Sequence, residues 1–262
     1  MDIQAIFFDI DGTLVSFNTH KIPPSTLQAI EALRKKNIKL IVATGRSLLD
    51  INHLGNLKFD GYITANGAYC TTDKKELLYR RLISDDDLQK LIRYQTHSEF
   101  PCIFMTEKGN FANYIDDSVR AIHNLVNLSL PPVRPIEEIV KYGVFQIDAY
   151  ITEKKEKIVI QDVLKGCEGN RWHPSFVDIN AKGNNKATGV KIFLEYYNIP
   201  RKNTMAFGDG GNDISMLEYV ALGVAMGDAT DDVIKVADYL TTSVDDDGIM
   251  AALKRYKILC EQ

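Results

Sequence analysis

Short unbroken apolar runs, each ending in a polar or glycine-rich segment, set the first pattern in this chain. Ile3 to Phe8 runs into Asp9-Ile10-Asp11-Gly12, and Lys39 to Ala43 runs into Thr44-Gly45-Arg46. Thr204 to Phe207 runs into Gly208-Asp209-Gly210-Gly211-Asn212-Asp213, and Leu222 to Met226 is a fourth such run. Continuous rather than alternating apolar runs predict strands buried on both faces of a parallel sheet. Helical patterns lie between them. Leu27, Ile30 and Leu33 recur every third residue, with Pro23-Pro24-Ser25 as a helix start. Further helices are expected over Asp213 to Val220 and Asp231 to Ala237. Strand, helix, strand repeated in this way implies an α/β fold with a doubly wound, Rossmann-like parallel sheet.

The middle of the chain has a different period. Phe145, Ile147, Ala149 and Ile151 alternate with Gln146, Asp148 and Tyr150, the signature of an antiparallel sheet with one packed face and one more polar face. Leu88, Leu91 and Ile92 share a helical face, as do Val119, Ile122 and Val126, and Phe176 to Ile179 reads as a strand. Residues 82–182 are therefore expected to form an inserted α+β domain. Residues 1–81 and 183–262 together would form the core, with hinges at Ser84–Asp87 and Ala181–Asn185.

Composition narrows the class of function. The 262 residues are 45% hydrophobic and 25% charged, enough for a sizeable core and unlike a disordered chain. A net charge of -4 and a pI near 5.8 count against a duplex nucleic acid as partner. No apolar run approaches the roughly 18–20 residues that cross a bilayer, and Met1-Asp2-Ile3-Gln4 has no signal-peptide character. Cys70, Cys102, Cys167 and Cys260 form no CxxC pair, which points to reduced thiols in a cytoplasm. The expectation is a cytoplasmic monomer or small homo-oligomer without a membrane or nucleic-acid partner. His20, His53, His97, His123 and His173 show no metal-ligand spacing, and the lone Trp172 is assigned to packing.

In open α/β sheets, ligands bind beyond the carboxyl ends of the strands. That rule would gather Asp9, Asp11, Thr44, Asp209 and Asp213, although they are far apart in sequence. Several carboxylates in one crevice repel unless a cation neutralises them, and an all-oxygen set favours Mg2+ before Ca2+. The Asp9–Gly12 segment does not fit an EF-hand, whose glycine falls later and whose twelfth position is Glu. The Gly208–Gly211 turn lacks the third glycine of a dinucleotide loop, and Asp209 would repel a pyrophosphate. Read singly, Asp9 and Asp11 suit a turn, and Asp213 suits the cap of the helix that follows it.

Taken together, the motifs resemble the haloacid dehalogenase superfamily of phosphatases. Asp9-Ile10-Asp11-Gly12-Thr13 fits its DxDGT motif, Thr44-Gly45-Arg46 its second motif, Lys186 its lysine, and Gly208 to Asp213 its GDxxND motif, all in order. The insertion looks like the C2B-type cap of the Cof-like subfamily, as do Ala65-Asn66-Gly67-Ala68 and Gly223 to Gly227. The resemblance implies Asp9 as the nucleophile that forms an aspartyl-phosphate and Asp11 as general acid and then base. It implies Thr44, Gly45 and Lys186 at the phosphate, Thr44 by hydroxyl and amide, and Asn212 donating to the phosphate or to a neighbouring motif. Mg2+ would be held by Asp9, the Asp11 carbonyl and Asp209, with Asp213 either a further ligand or an acceptor behind the ligands. Arg46 would reach the substrate or form an ion pair, with the ion pair favoured. The implied activity is Mg2+-dependent hydrolysis of small phosphorylated metabolites, with sugar phosphates first. A phosphomutase of the same superfamily and a non-catalytic regulator that binds phosphometabolites are the competing readings. The complete acid set counts against the regulator, since binding alone needs no general acid beside a nucleophile.

Overall fold

The computed structural model describes residues 2–260 except 52, 53 and 56; His53 and the side chain of Trp172 therefore lie outside the described residues. The chain opens with strand β1 (Ala5–Phe8), helix α1 (Pro24–Lys35) and strands β2 (Lys39–Ala43), β3 (Gly61–Thr64), β4 (Tyr69–Thr72) and β5 (Leu77–Arg80). A second unit follows, with α2 (Asp85–Gln95), β6 (Cys102–Thr106), β7 (Gly109–Ala112), α3 (Asp117–Leu125), α4 (Ile136–Ile139), β8 (Val144–Ala149), α5 (Glu153–Ile158), β9 (Cys167–His173) and β10 (Phe176–Ala181). The chain then returns through α6 (Lys186–Tyr197), β11 (Thr204–Gly208), α7 (Ile214–Tyr219), β12 (Leu222–Ala225), α8 (Asp231–Val236), β13 (Tyr239–Leu240) and α9 (Gly248–Arg255).

The first and last segments build one eight-stranded sheet, ordered β13-β12-β11-β1-β2-β3-β4-β5. The six strands from β13 to β3 are parallel, and β4 and β5 extend the sheet antiparallel. The extension was not evident from the apolar runs. It arises because Ala65, Asn66 and Gly67 all take positive φ (47°, 51° and 94°) and turn the chain back on itself. The continuous apolar runs are explained by two covered faces. Ile6 and Phe8 of β1 pack on one side with Ile30 and Leu33 of α1 and Leu253 of α9. Ala5 and Phe7 pack on the other side with Phe193 of α6 and Leu217 of α7. Phe8 stacks on Phe207 with ring centroids 5.4 Å apart. Each such fully buried side chain is worth about 1.5–3 kcal/mol of transfer free energy.

The second unit is a five-stranded antiparallel sheet, β7-β6-β8-β10-β9. Ile147 and Ala149 face a core with Leu88 and Leu91 of α2, following the alternation in sequence. Phe145 departs from it. The β6–β8 register shifts between Met105 and Thr106, which leaves Phe145 extra on its strand and turned towards Tyr69 of the core sheet. The polar face, with Gln146 and Asp148, does not meet open solvent; it lines a cavity against the carboxyl ends of β1, β2 and β11. No helix among the described residues is long and apolar enough to cross a membrane.

Gly189 lies within α6, where a Cβ would come within 2.3 Å of the Ile63 side chain. Helix propensity alone favours Ala over Gly by about 1 kcal/mol. Overpacking reverses the sign, so Gly189→Ala is expected to lower stability by about 1–3 kcal/mol. A urea midpoint equal to or above wild type would refute that packing.

Candidate active site

Two neighbouring parallel strands deliver the carboxylates. The Asp9 N–H donates to the Phe207 carbonyl at 3.1 Å, which continues the β1–β11 pairing past the end of β1 and sets Asp9 beside the turn after β11. Asp209 opens that turn, and its carboxylate accepts from the Thr13 hydroxyl at 2.8 Å. Gly12 has φ +82°, and a Cβ there would lie 2.4 Å from the Asp209 carboxylate, so only glycine allows this approach. Asp213 does not cap the helix after it. Its Oδ2 accepts from the backbone N–H groups of Asp209 and Gly210, both at 3.0 Å, and so ties down the preceding turn.

Asn185 caps α6 by accepting from the Thr188 N–H at 3.0 Å, which places Lys186 in the first turn with its side chain directed inwards. Its Nζ lies 2.5 Å from Asp9 Oδ1 and 2.6 Å from Asp213 Oδ1, and Lys186 and Asp213 are completely buried. Asp9, Asp209 and Asp213 each offer an oxygen, and the three oxygens lie within 4.8 Å of one another. Burial is the largest influence on Asp9 and pushes it up to about 7, against the pull of Lys186 and helped by the charges of Asp213 and Asp11. Burial, with Asp9 and Asp213, also holds Asp209 well above the usual carboxylate range. Burial pulls Lys186 down, but Asp213 and Asp9 together keep it above its ordinary value. Three carboxylates around one ammonium leave an excess of negative charge, and an all-oxygen donor set of this kind fits a hard divalent cation.

Asp11, two residues along, has different surroundings. The Arg46 guanidinium grips it in a bidentate pair, Nε to Oδ2 at 2.7 Å and Nη2 to Oδ1 at 2.6 Å. Arg46 Nη2 also donates to the Val126 carbonyl at the end of α3 (2.8 Å), and Nη1 to the Asp50 carbonyl (3.2 Å). The ion-pair reading of Arg46 is the one the structure shows.

The remaining candidates border one cavity of about 300 Å3, lined among others by Asp9, Asp11, Thr44, Gly45, Asp209 and Asn212. Lys186 and Asp213 stand behind this lining rather than in it. The Thr44 N–H donates to the Ile63 carbonyl at 2.8 Å, so its amide is used by the sheet, and its hydroxyl oxygen accepts from the Arg46 N–H at 3.1 Å, which leaves the hydroxyl proton to donate. Asn212 Nδ2 donates to Asn66 Oδ1 at 3.0 Å. The sequence assigned no role to Asn66, Gln146, Asp148 or Asp178. Asp148 and Asp178 are directly opposed across β8 and β10 and both line the cavity. Burial first, then Asp178, raises Asp148 well above the usual range. The polar members of the alternating strand and the Ala65–Ala68 stretch were the available signals for these residues.

Residues 6–253 match the family of haloacid dehalogenase-like hydrolases. YkrA of Bacillus subtilis, a protein provisionally named a phosphatase, is 31% identical over 264 residues, covering 99% of this chain and 100% of that protein. The 5-amino-6-(5-phospho-D-ribitylamino)uracil phosphatase YcsE of Bacillus subtilis is 29% identical, covering 98% and 96%. Among solved structures, the HAD subclass IIB sugar phosphatase BT4131 superposes with a TM-score of 0.92 at 41% identity, over 98% of this chain and 100% of that one.

The raised Asp9 makes a signed prediction for the protein with divalent cations chelated. Its folded pKa lies above the unfolded value of 3.8, so the folded state binds more protons between about pH 4 and 7. Stability contributed by Asp9 is therefore present at low pH and lost as pH rises through that window. The stability of wild type relative to Asp9→Asn should fall by on the order of 1–4 kcal/mol from pH 4 to 7. Urea denaturation of both proteins in chelator measures it; a difference that rises with pH contradicts it.

Proposed function

The chain belongs to the haloacid dehalogenase-like hydrolases and is a phosphatase, and from that premise we propose that it hydrolyses small phosphorylated metabolites, sugar phosphates foremost, by way of a phosphorylated Asp9. One observation carries the reading: the Asp9, Asp209 and Asp213 oxygens meet within 4.8 Å beside a cavity sized for a small ligand.

In the first step an Asp9 carboxylate oxygen forms a bond to phosphorus as the bond from phosphorus to the leaving oxygen breaks. Asp11, protonated on an oxygen released from its Arg46 pair, gives its proton to the leaving oxygen, and the alcohol departs. In the second step Asp11 takes a proton from water, the water oxygen attacks phosphorus, and Asp9 is released with inorganic phosphate. Splitting one difficult transfer into two easier ones is what a covalent nucleophile contributes. Lys186 favours the charged form of Asp9 against the effect of burial and holds it in place at 2.5 Å. The Thr44 hydroxyl, the Gly45 backbone and the Asn212 amide take the phosphoryl oxygens. Arg46 pairs with Asp11 while Lys186 pairs with Asp9, so two carboxylates two residues apart have different surroundings and take different roles. Asp9, Asp209, Asp213 and the Asp11 carbonyl would hold Mg2+, which when bound offsets the repulsion between a carboxylate and a phosphate dianion.

We place the core at residues 1–81 and 183–262 and the cap at 82–182. The two sheets, each with its own apolar core, support these limits. The cavity that closes between them is too small for a folded protein or a duplex and suits a single phosphorylated metabolite. A cytoplasmic location belongs to the same reading, supported by free Cys70, Cys102 and Cys167 buried within the folded units.

Phosphate release from a panel of phosphorylated metabolites tests the proposal. Chelation should abolish turnover and added Mg2+ should restore it. Asp9→Asn should fall to background with its circular dichroism unchanged, and normal turnover in that variant would exclude Asp9 as nucleophile. Asp11→Asn should lose about 10^2–10^4-fold in kcat, the usual worth of a general acid or base.

A further inference from the structure

Three core segments and two cap strands meet at one side chain, Asn66. It lies 1% exposed in the turn between β3 and β4, with φ +51° and ψ +37°, a left-handed conformation that Asn tolerates better than most residues. The turn hangs on the second motif. The Ala65 N–H donates to the Arg46 carbonyl and the Asn66 N–H to the Thr44 carbonyl, both at 3.0 Å.

Both ends of the Asn66 amide are used. Nδ2 donates to Asp178 Oδ2 at 2.8 Å and to Gln146 Oε1 at 3.0 Å, and Oδ1 accepts from Asn212 Nδ2 at 3.0 Å. A carboxylate only accepts, so Asp178 fixes which end of the amide faces the cap and leaves the oxygen for Asn212. Gln146 extends the network. Its Nε2 donates to the Gly45 carbonyl at 3.1 Å and to Asp148 Oδ1 at 2.8 Å. Asn180 Nδ2 completes the seam by donating to the Ala65 carbonyl at 3.0 Å. The phosphate end of the cavity, at Gly45 and Asn212, is thus joined to its cap end, at Asp148 and Asp178, through Asn66.

We propose that Asn66 is a positioning residue that seats the cap: its amide nitrogen docks β8 and β10 on the core while its amide oxygen sets the Asn212 side chain, so that the leaving-group end of the cavity is assembled only with the cap in place. The proposal rests on the phosphatase reading above. Asn66 itself does not touch the reacting atoms. Its importance grows with the leaving group: a sugar phosphate needs the cap end of the cavity, whereas acetyl phosphate does not.

Asn66→Asp separates the two halves of the role. It keeps an acceptor for Asn212 but loses both donors to the cap and sets a negative charge against Asp178. For a hexose 6-phosphate, kcat/KM should fall about 10–100-fold, the scale of a lost charge-assisted hydrogen bond, chiefly through KM. Turnover of acetyl phosphate should fall at least about fivefold less than that of the hexose phosphate. Asn66→Gly, which suits the backbone and removes the amide, should lose activity on both. Adding Asp178→Asn to Asn66→Asp restores a donor facing an acceptor, and should recover at least about fivefold of the hexose-phosphate loss, a coupling that independent sites do not show. X-ray scattering without substrate gives a readout independent of turnover: Asn66→Asp should expand the particle, and the double variant should return it to the wild-type profile. Equal losses on both substrates for Asn66→Asp, or a double variant no better than Asn66→Asp in kinetics and scattering, would overturn the proposal. If wild type released phosphate from no ester while the scattering behaved as described, the phosphatase reading would fail and the seating role of Asn66 would stand.

Discussion

A single ammonium buried between carboxylates is the constraint on which the rest of this site depends. Lys186 is fully inaccessible and bonds to Asp9 and Asp213, which come from opposite ends of the chain. Removing three acids and a lysine from water is costly, and such a group persists only with near-complete pairing. The surrounding structure supplies it. Asn185 caps α6 and aims Lys186, Thr13 donates to Asp209, and two backbone N–H groups fix Asp213. The negative charge that remains suits the site to a divalent cation.

The same economy governs the contact between core and cap. An apolar cluster of Ala65, Ala68 and Tyr69 with Met105 and Phe145 crosses the seam, and polar bonds from the core turns run beside it: Arg46 to the Val126 carbonyl, Gln146 to the Gly45 carbonyl, and the Asn66 amide to Gln146 and Asp178. Arg46 spends one guanidinium on both Asp11 and the cap. The carbonyl it meets ends α3, where backbone acceptors lack helical partners and a cation is favoured. Bonds of this kind are individually modest and exchange readily with water, which suits a cover that has to admit a substrate and release a product.

Much of the core was legible in the sequence because its strands are covered on both faces and so read as unbroken apolar runs. Ile6 and Phe8 turn to one layer while Ala5 and Phe7 turn to the other, and neither face tolerates polar residues. The carboxyl-end rule then located Asp9, Asp11, Thr44 and Asp209 without any contact map. The β4–β5 extension was hidden because it follows from three positive φ angles in succession, only one of them at glycine. Phe145 was misplaced for a related reason: one shift in register flips a side chain to the other face.

The sequence by itself determined the fold class, the order of the motifs and the set of acids that meet at the strand ends, because strand periodicity and parallel topology are local properties with a fixed spatial consequence. Only the tertiary structure decided how those acids are partnered: Asp9 with Lys186, Asp11 with Arg46, Asp213 with the turn before it rather than the helix after it. It also decided that Gln146, Asp148 and Asp178 roof the cavity instead of facing solvent. Side-chain pairing depends on distances between segments far apart in sequence, 177 positions for Asp9 and Lys186, and no pattern along the chain encodes those distances.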